Sequence, residues 1–422
     1  MKVADQLRMA AMYARARRSE RWPAARIRQY RDAALVRIMR HAVTAVPFYQ
    51  RLRIAPESIQ RAADIDRFPL ISKRDIQRDP EALLAAGYPA TSLHSSRTSG
   101  SSGEPTTTHF DPASWLLCKY ALKARRVAAT VGLPLLRRVL IVSEQRPEAL
   151  ANLAASSPSQ LLGLFPRRYV SIHAPMEAQL EDLAGFRPAI VYAFPSYFLE
   201  LISTARLHGR SLPRIPHLCT SSEVLSAAHR AQIEAAFGGR VWDVYGCTEF
   251  KEVAWQCERG RYHINFESVD VESVQEQVGA VVLSTLCNRA MPLLRFQTGD
   301  QATFDRDPCP CGRQSSHLSG FAGRVADTIT LPSGRRLMPY LLTTDIELEE
   351  SILQYRIVRT EPDAFRIDAV VRQPGQSAAW RERVGAQFLR VAGEPLRVSV
   401  REVTVLERAP SGKRSVFQEL NR

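Results

Sequence analysis

Arg97-Thr-Ser-Gly-Ser-Ser-Gly-Glu-Pro-Thr-Thr-Thr108 packs hydroxyls and glycines more densely than any other stretch of the chain. Gly100 and Gly103 open backbone angles closed to other residues and turn successive N–H groups toward one point. Thr98, Ser99, Ser101 and Ser102 add short hydroxyl donors. That is the composition of a phosphate cradle, and Arg97 just before it either adds charge near the phosphates or is one more exposed arginine among 51. No Gly-Lys-Ser/Thr follows, so it is not the nucleotide P-loop, and no Gly-x-Gly-x-x-Gly opens a helix here. A flexible Ser/Gly linker has the same composition, so the remaining sequence must decide between the two.

The chain has 422 residues, 45% hydrophobic and 24% charged, which predicts an ordinary globular protein of two or three compact units. No apolar run approaches the roughly 18 residues of a membrane span. Met1 to Arg28 lacks an apolar signal core, so the expectation is a cytoplasmic protein. Seven cysteines, an odd number, argue for thiols or a metal site rather than a disulfide framework. The net charge is +14, and of 57 basic residues only six are lysine. A basic surface favours acidic partners, including an acidic carrier protein. No helix-turn-helix, zinc-finger or RNA-stacking signature points to nucleic acid.

In chain order, residues 1–70 read as arginine-rich helices with Leu35, Ile38, Met39, Ala42 and Val43 on one apolar face. Ser72 with Asp75 three positions on predicts the start of a short helix. The spacing predicts a helix over 115–131 and strands over 138–142, 189–193 and 240–244. Helices are expected over 196–207 and over 226–237, the latter closed by Gly238 and Gly239. Strands alternating with helices imply parallel β-α-β units. A strand over 279–286 with polar neighbours marks a β-rich section, and past Gly323 the pattern becomes that of a small α+β domain.

Four further stretches carry chemistry. Asp243-Val-Tyr-Gly-Cys-Thr-Glu249 follows a strand and sets an aromatic, a turn glycine (Gly246), a hydroxyl (Thr248) and a carboxylate at one strand end. Tyr245 can stack on a base and Glu249 can hold Mg²⁺. In Leu294-Arg-Phe-Gln-Thr-Gly-Asp300 a turn glycine delivers Asp300, able to accept from both hydroxyls of a ribose. Gly323-Arg-Val-Ala-Asp327 offers the planar guanidinium of Arg324, and Pro410-Ser-Gly-Lys-Arg414 holds Lys413 on a glycine turn. Cys257 and His263, spaced Cys-x5-His, with Cys309-Pro-Cys311, supply three sulfurs and an imidazole. These suit either a tetrahedral structural zinc or ordinary buried thiols. Cys247 reads as spacing rather than nucleophile, and Cys118, Cys219 and Cys287 show no partner pattern.

The order of these motifs resembles the adenylate-forming superfamily, and within it the phenylacetate-CoA ligase and coenzyme F390 synthetase group. Ala45-Val-Pro-Phe-Tyr49, Phe68-Pro-Leu-Ile-Ser-Lys73, Thr98 to Pro105, Tyr245 to Glu249, Arg295 to Asp300, Gly323-Arg324 and Lys413 carry the resemblance over nearly the whole chain. It implies an α/β fold: a large N-terminal domain over 1–323 with parallel-type sheets and a β-rich subdomain about 255–315, and a small mobile α+β domain over 324–422. It also implies ATP-dependent activation of a small or aryl carboxylic acid to an acyl-adenylate, with transfer to CoA. A carrier-protein phosphopantetheine, an amine acceptor, or an idle nucleotide-binding relative are the rivals.

The implied roles are residue by residue. Thr98, Ser99, Gly100, Ser101, Ser102 and Gly103 hold pyrophosphate, and Thr248 a phosphate oxygen. Glu249 holds Mg²⁺, Asp300 holds the ribose, and Arg324 reaches phosphate or ribose oxygens. Ser222, Glu223, Asp243, Tyr245 and Gly246 lie about the nucleotide, and Lys413 bridges carboxylate and α-phosphate. Some members of the resembled group carry cysteines and histidine at the positions of Cys257, His263, Cys309 and Cys311, which implies a structural zinc there. The chain departs at Ala326, where aspartate is usual, at Ser221-Ser-Glu223, where Gly-Gly-Glu is common, and at Leu331-Pro-Ser-Gly-Arg-Arg336, where many relatives have a glycine loop for the CoA thiol.

Overall fold

The computed structural model describes residues 3–97, 106–133, 136–143, 166–273, 278–305, 307–324, 329–337, 342, 346, 349, 351–372, 379–406 and 417–419. The chain forms two compact units, one of Met1–Leu133 with Val244–Phe321 and the other of Pro134–Asp243 with Ala322–Arg422. Among the described residues, thirteen strands precede the C-terminal segment: β1 (His94–Arg97), β2 (Thr107–Phe110), β3 (Val139–Ser143), β4 (Arg167–Ser171), β5 (Ile190–Ala193), β6 (His217–Ser221), β7 (Arg240–Cys247), β8 (Lys251–Gln256), β9 (Tyr262–Ile264), β10 (Val269–Ser273), β11 (Val278–Thr285), β12 (Phe296–Asp305) and β13 (His317–Arg324). The fold class is the mixed α/β architecture that the sequence predicts, with a separate small sheet toward the C-terminus.

In the first unit the helix Ala24–Ala45 buries Leu35, Ile38, Met39, Ala42 and Val43 together with Ile27 and Ala34, the apolar face expected from its spacing. Removing a leucine or isoleucine from such a face costs about 2–5 kcal/mol. That face joins a core with Val281, Leu283, Leu293, Leu294 and Phe296. Ser72 starts the helix Lys73–Arg78, and its N–H donates to the Asp75 carboxylate at 2.8 Å. The predicted helix over 115–131 is three consecutive segments, Pro112–Trp115, Leu116–Ala121 in π geometry, and Leu122–Thr130. Asp111 caps its start by accepting from the Ala113 and Ser114 N–H groups. The sheet here runs β10-β11-β12-β13-β9-β8, and its recorded pairings are antiparallel, so the β-rich section is wider than the one strand expected. Those strands were hard to read because β12 mixes polar residues into both faces and lacks a clean period of two.

In the second unit β6-β5-β3-β4 form a parallel sheet with helices Met176–Phe186, Pro195–Leu207 and Ala227–Phe237 between or after its strands. Val191, Leu218, Phe198, Leu201, Ile202 and Phe237 build its core. Gly238 ends the last helix with a φ of 61°, the left-handed closure that glycine adopts without penalty. Ile352–Glu361, Ala364–Val371, Arg397–Glu402 and Phe417–Glu419 form a four-stranded sheet, and the helix Ala379–Ala392 packs Trp380, Val384 and Phe388 into a core of its own with Phe365 and Ile367. No described helix is long and apolar enough to cross a membrane.

Candidate functional site

β1 and β2 pair as an antiparallel ribbon whose last recorded partners are Arg97 and Thr107. The segment joining them holds Thr98, Ser99, Gly100, Ser101, Ser102 and Gly103, which lie outside the described residues. In the same unit β7 turns into β8 by a tight hairpin, Cys247 opposite Lys251, with Thr248, Glu249 and Phe250 at its tip. Thr248 is half-buried and Glu249 buried. Gly246 is required there, because a Cβ at its position would stand 2.3 Å from the Lys251 carbonyl oxygen. Lys251 itself takes a φ of 65°, a left-handed conformation that glycine or asparagine adopts more cheaply.

The hairpin presents Tyr245 to the turn of β12. Its hydroxyl donates to Asp300 Oδ2 at 2.8 Å, and its ring lies 4.6 Å from that of Phe321. Burial and then the Asp300 carboxylate hold the phenol well above its usual range, so it stays a donor. Gly299, at a φ of 81°, makes the turn that brings Asp300 round. Burial, then Glu249, likewise push the Cys247 thiol well up, which removes its nucleophilicity and agrees with its reading as spacing. Lys251 is drawn down to about 8, first by burial and then by Lys119.

In the second unit Glu223 accepts from the Ser196 N–H and hydroxyl, both at 2.9 Å, and so closes the first turn of Pro195–Leu207. Ser222 before it is exposed with a φ of 72°, which accounts for the glycine common at this position in the resembled group. Asp243, buried at the middle of β7, accepts from Thr220 Oγ1 at 2.5 Å. Tyr197 is fully buried and, with Phe194, belongs to the unit's core. Arg324 ends β13. Ala326, Asp327 and Lys413 lie outside the described residues.

Cys257, His263, Cys309 and Cys311 converge, their ligand atoms all within 4.8 Å of one another. The Cys257 and Cys309 sulfurs are 3.8 Å apart. Two thiolates about 2.3 Å from a tetrahedral zinc would stand about 3.8 Å from each other. Cys311 Sγ is 3.2 Å from His263 Nε2, while Ser315 Oγ sits 2.9 Å from His263 Nδ1 and fixes which nitrogen turns inward. Burial, with Arg313 and His317 adding to it, drives His263 down to about 3, so the imidazole is neutral as a ligand must be. Elsewhere in this unit the Cys118 and Cys287 sulfurs lie 3.6 Å apart, a neighbourhood their spacing does not announce.

No protein-family model matches the chain. The curated phenylacetate-coenzyme A ligase of Thermus thermophilus is 25% identical over 439 residues, covering 93% of this chain and 96% of that protein. The phenylacetate-coenzyme A ligase of Aromatoleum evansii is 24% identical, covering 89% and 90%. Among solved structures, 2-hydroxyisobutyryl-CoA ligase in complex with 2-HIB-AMP superposes with a TM-score of 0.78 at 21% identity, over 96% of this chain and 92% of that one. Anthranilate CoA ligase in complex with anthranoyl-AMP gives 0.56 at 17% identity, over 83% and 73%. The chain resembles the phenylacetate-CoA ligase group of the adenylate-forming superfamily in both sequence and fold.

Within this fold the structure brings Tyr245 to Asp300, seats Thr248 and Glu249 on one hairpin tip, and gathers Cys257, His263, Cys309 and Cys311. Sequence reasoning missed Lys251, Ser196, Thr220 and Ser315. Lys251 alone carried a signal, being one of six lysines in a chain that otherwise uses arginine. The other three are ordinary hydroxyls whose roles exist only once a distant carboxylate or imidazole is brought to them.

Proposed function

We propose that this protein activates a small or aryl carboxylic acid with ATP and passes the acyl group to the thiol of coenzyme A. The observation that carries the reading is the Tyr245–Asp300 hydrogen bond, which joins two motifs 55 residues apart into one arrangement of a flat ring beside a diol acceptor. A carboxylate oxygen attacks the α-phosphorus, the bond to the bridging oxygen breaks, and pyrophosphate leaves with the electron pair. The thiolate of CoA then attacks the acyl carbon and AMP departs. Both steps gather negative charge on oxygens, so placement and electrostatic stabilisation supply most of the rate.

In this reading Asp300 accepts from the ribose hydroxyls, Thr248 donates to a phosphate oxygen, and Ser99 to Gly103 cradle the departing pyrophosphate. Arg324 reaches phosphate or ribose oxygens. Lys413 neutralises the carboxylate and α-phosphate, with residues 324–422 as the mobile part and 1–323 as the large domain. Ser222, Glu223, Asp243 and Gly246 shape the nucleotide side. Glu249 fits a magnesium site, since one carboxylate plus substrate phosphates is the usual complement. Magnesium there would screen the phosphate charges. Cys257, His263, Cys309 and Cys311 fit a structural zinc, because three sulfurs and one neutral imidazole fill a tetrahedron and leave no open position.

The test is acid-dependent ATP–pyrophosphate exchange across a panel of aryl and aliphatic acids, with Lys413→Ala alongside. The expected outcome is exchange with some acids and a fall of about 10²–10³-fold in the variant. Thioester formation on CoA is measured next. Exchange without CoA thioester, but with acylation of an acidic carrier protein, would transfer the acceptor role to the carrier. No exchange with any acid would remove the reading.

A further inference from the structure

Lysine is the exception in this chain, six among 57 basic residues, yet two of the six converge on one aromatic ring. The Lys119 and Lys251 ammonium groups stand 5.3 and 5.2 Å from the Trp115 ring centroid. Lys251 also lies 5.0 Å over Phe110 and donates to Ser96 Oγ. Cation–π contact offsets only part of the hydration an ammonium gives up, and two like charges brought together repel. Among the described residues the one carboxylate acting on Lys251 is that of Glu249, whose pull is outweighed by burial and by Lys119. The pair is complementary to an anion.

Its position says which anion. Ser96 is the next-to-last residue of β1, immediately before the strand end from which the Ser/Gly segment leaves. Glu249 is two residues from Lys251 on the same hairpin tip. The backbone adds an independent argument. Position 251 demands a positive φ that glycine would meet without strain, and a lysine holds it at 65°. A turn that needed only the conformation would be better served by glycine, so the side chain has its own use. Lysine suits it better than arginine: an unbranched stem sets a compact point charge with three donors against the Phe110 and Trp115 rings.

We propose that Lys251, supported by Lys119, binds the pyrophosphate leaving group. The inference rests on the acid-activation reading above. As the carboxylate oxygen bonds to the α-phosphorus and the bridging P–O bond breaks, the electron pair goes to pyrophosphate, and the Lys251 ammonium neutralises the charge that collects there. No proton changes hands. Lys251 touches the leaving group, and Lys119 acts by raising the local positive potential.

The experiment measures binding of inorganic pyrophosphate, with magnesium present, to the full chain and to Lys251→Met, Lys251→Arg and Lys119→Met. AMP binding is the internal control, and the exchange assay supplies KM for pyrophosphate. The expected result is a loss of pyrophosphate affinity of about tenfold or more in Lys251→Met, a smaller loss in Lys119→Met, and unchanged AMP affinity. Wild-type pyrophosphate affinity in a folded Lys251→Met protein overturns the proposal. Should that variant not fold, an unchanged KM for pyrophosphate in both Lys251→Arg and Lys119→Met overturns it instead. If the wild type supports no exchange with any acid yet loses pyrophosphate affinity on substitution of Lys251, the acid-activation reading fails and the anion site stands.

Discussion

The first unit holds two clusters that are opposites in charge. At Cys257, His263, Cys309 and Cys311, four electron-pair donors lie within 4.8 Å of one another, a set that a cation would complete. At the β7–β8 tip, Lys251 and Lys119 face one aromatic ring, with Glu249 offsetting only part of their charge, a set that an anion would complete. The first is enclosed and joins the β8–β9 turn to the segment before β13, so its ligand should act on stability. The second borders a segment of hydroxyls and glycines, so its ligand should turn over. Each assignment can be broken separately.

The largest effect is expected from Cys309→Ser. Losing one thiolate from a closed tetrahedral site should release the metal. Loss of such a site belongs among the few single changes that exceed about 4 kcal/mol, and a fall in Tm of about 10 °C would follow for a unit of this size. Metal content by mass spectrometry should fall from one zinc per chain toward none, while the folded fraction keeps its KM for ATP. Unchanged metal content and Tm would reduce the cluster to buried thiols and merge the two regions into one kind of packing.

How far these regions were legible in the sequence follows from the residue types they use. Cysteine and histidine are scarce, so Cys-x5-His with Cys-Pro-Cys flagged the four side chains that converge before any strand was placed. The helix face of Leu35, Ile38 and Met39, the Ser72–Asp75 start and the Gly238 stop were legible for the same reason: each is a local pattern with a local physical cause. β1, with sequence His-Ser-Ser-Arg, was not, because nothing apolar alternates along it and its pairing with β2 depends on a partner across the Ser/Gly segment. β4 begins with two exposed arginines and hid likewise. The Tyr245–Asp300 bond joins two motifs the sequence did flag, but their meeting is a property of the sheet.

Gly246→Ala is the next largest change and strikes the hairpin rather than its charges. A methyl placed 2.3 Å from the Lys251 carbonyl cannot be accommodated without moving that backbone. Overpacking of this kind costs about 1–3 kcal/mol. Because the displaced residues are Thr248, Glu249 and Lys251, exchange activity should fall by more than the loss of folded protein explains, with metal content intact. A variant whose activity tracks its Tm alone would mean that the tip is scaffold, and that the contrast with the sulfur cluster is one of composition only.

The smallest and sharpest test is Tyr245→Phe. The ring keeps its contact with Phe321, so packing is conserved and Tm should fall by no more than about 5 °C, the loss of one hydrogen bond. What disappears is the donor that fixes Asp300 Oδ2, and a hydrogen bond to a charged group is worth about 1.5–3 kcal/mol. Asp300 is half-buried, so water replaces part of that loss and the lower end of the range applies. Freed of the phenol, the carboxylate no longer waits in the orientation that two ribose hydroxyls need, and each binding event must order it again. The expected signature is a KM for ATP raised about tenfold, with kcat nearly unchanged and pyrophosphate affinity unaltered. That separates it from substitutions at Lys251, which act on the other end of the nucleotide. An unchanged KM for ATP would detach Asp300 from the ribose and leave its bond to Tyr245 as sheet architecture.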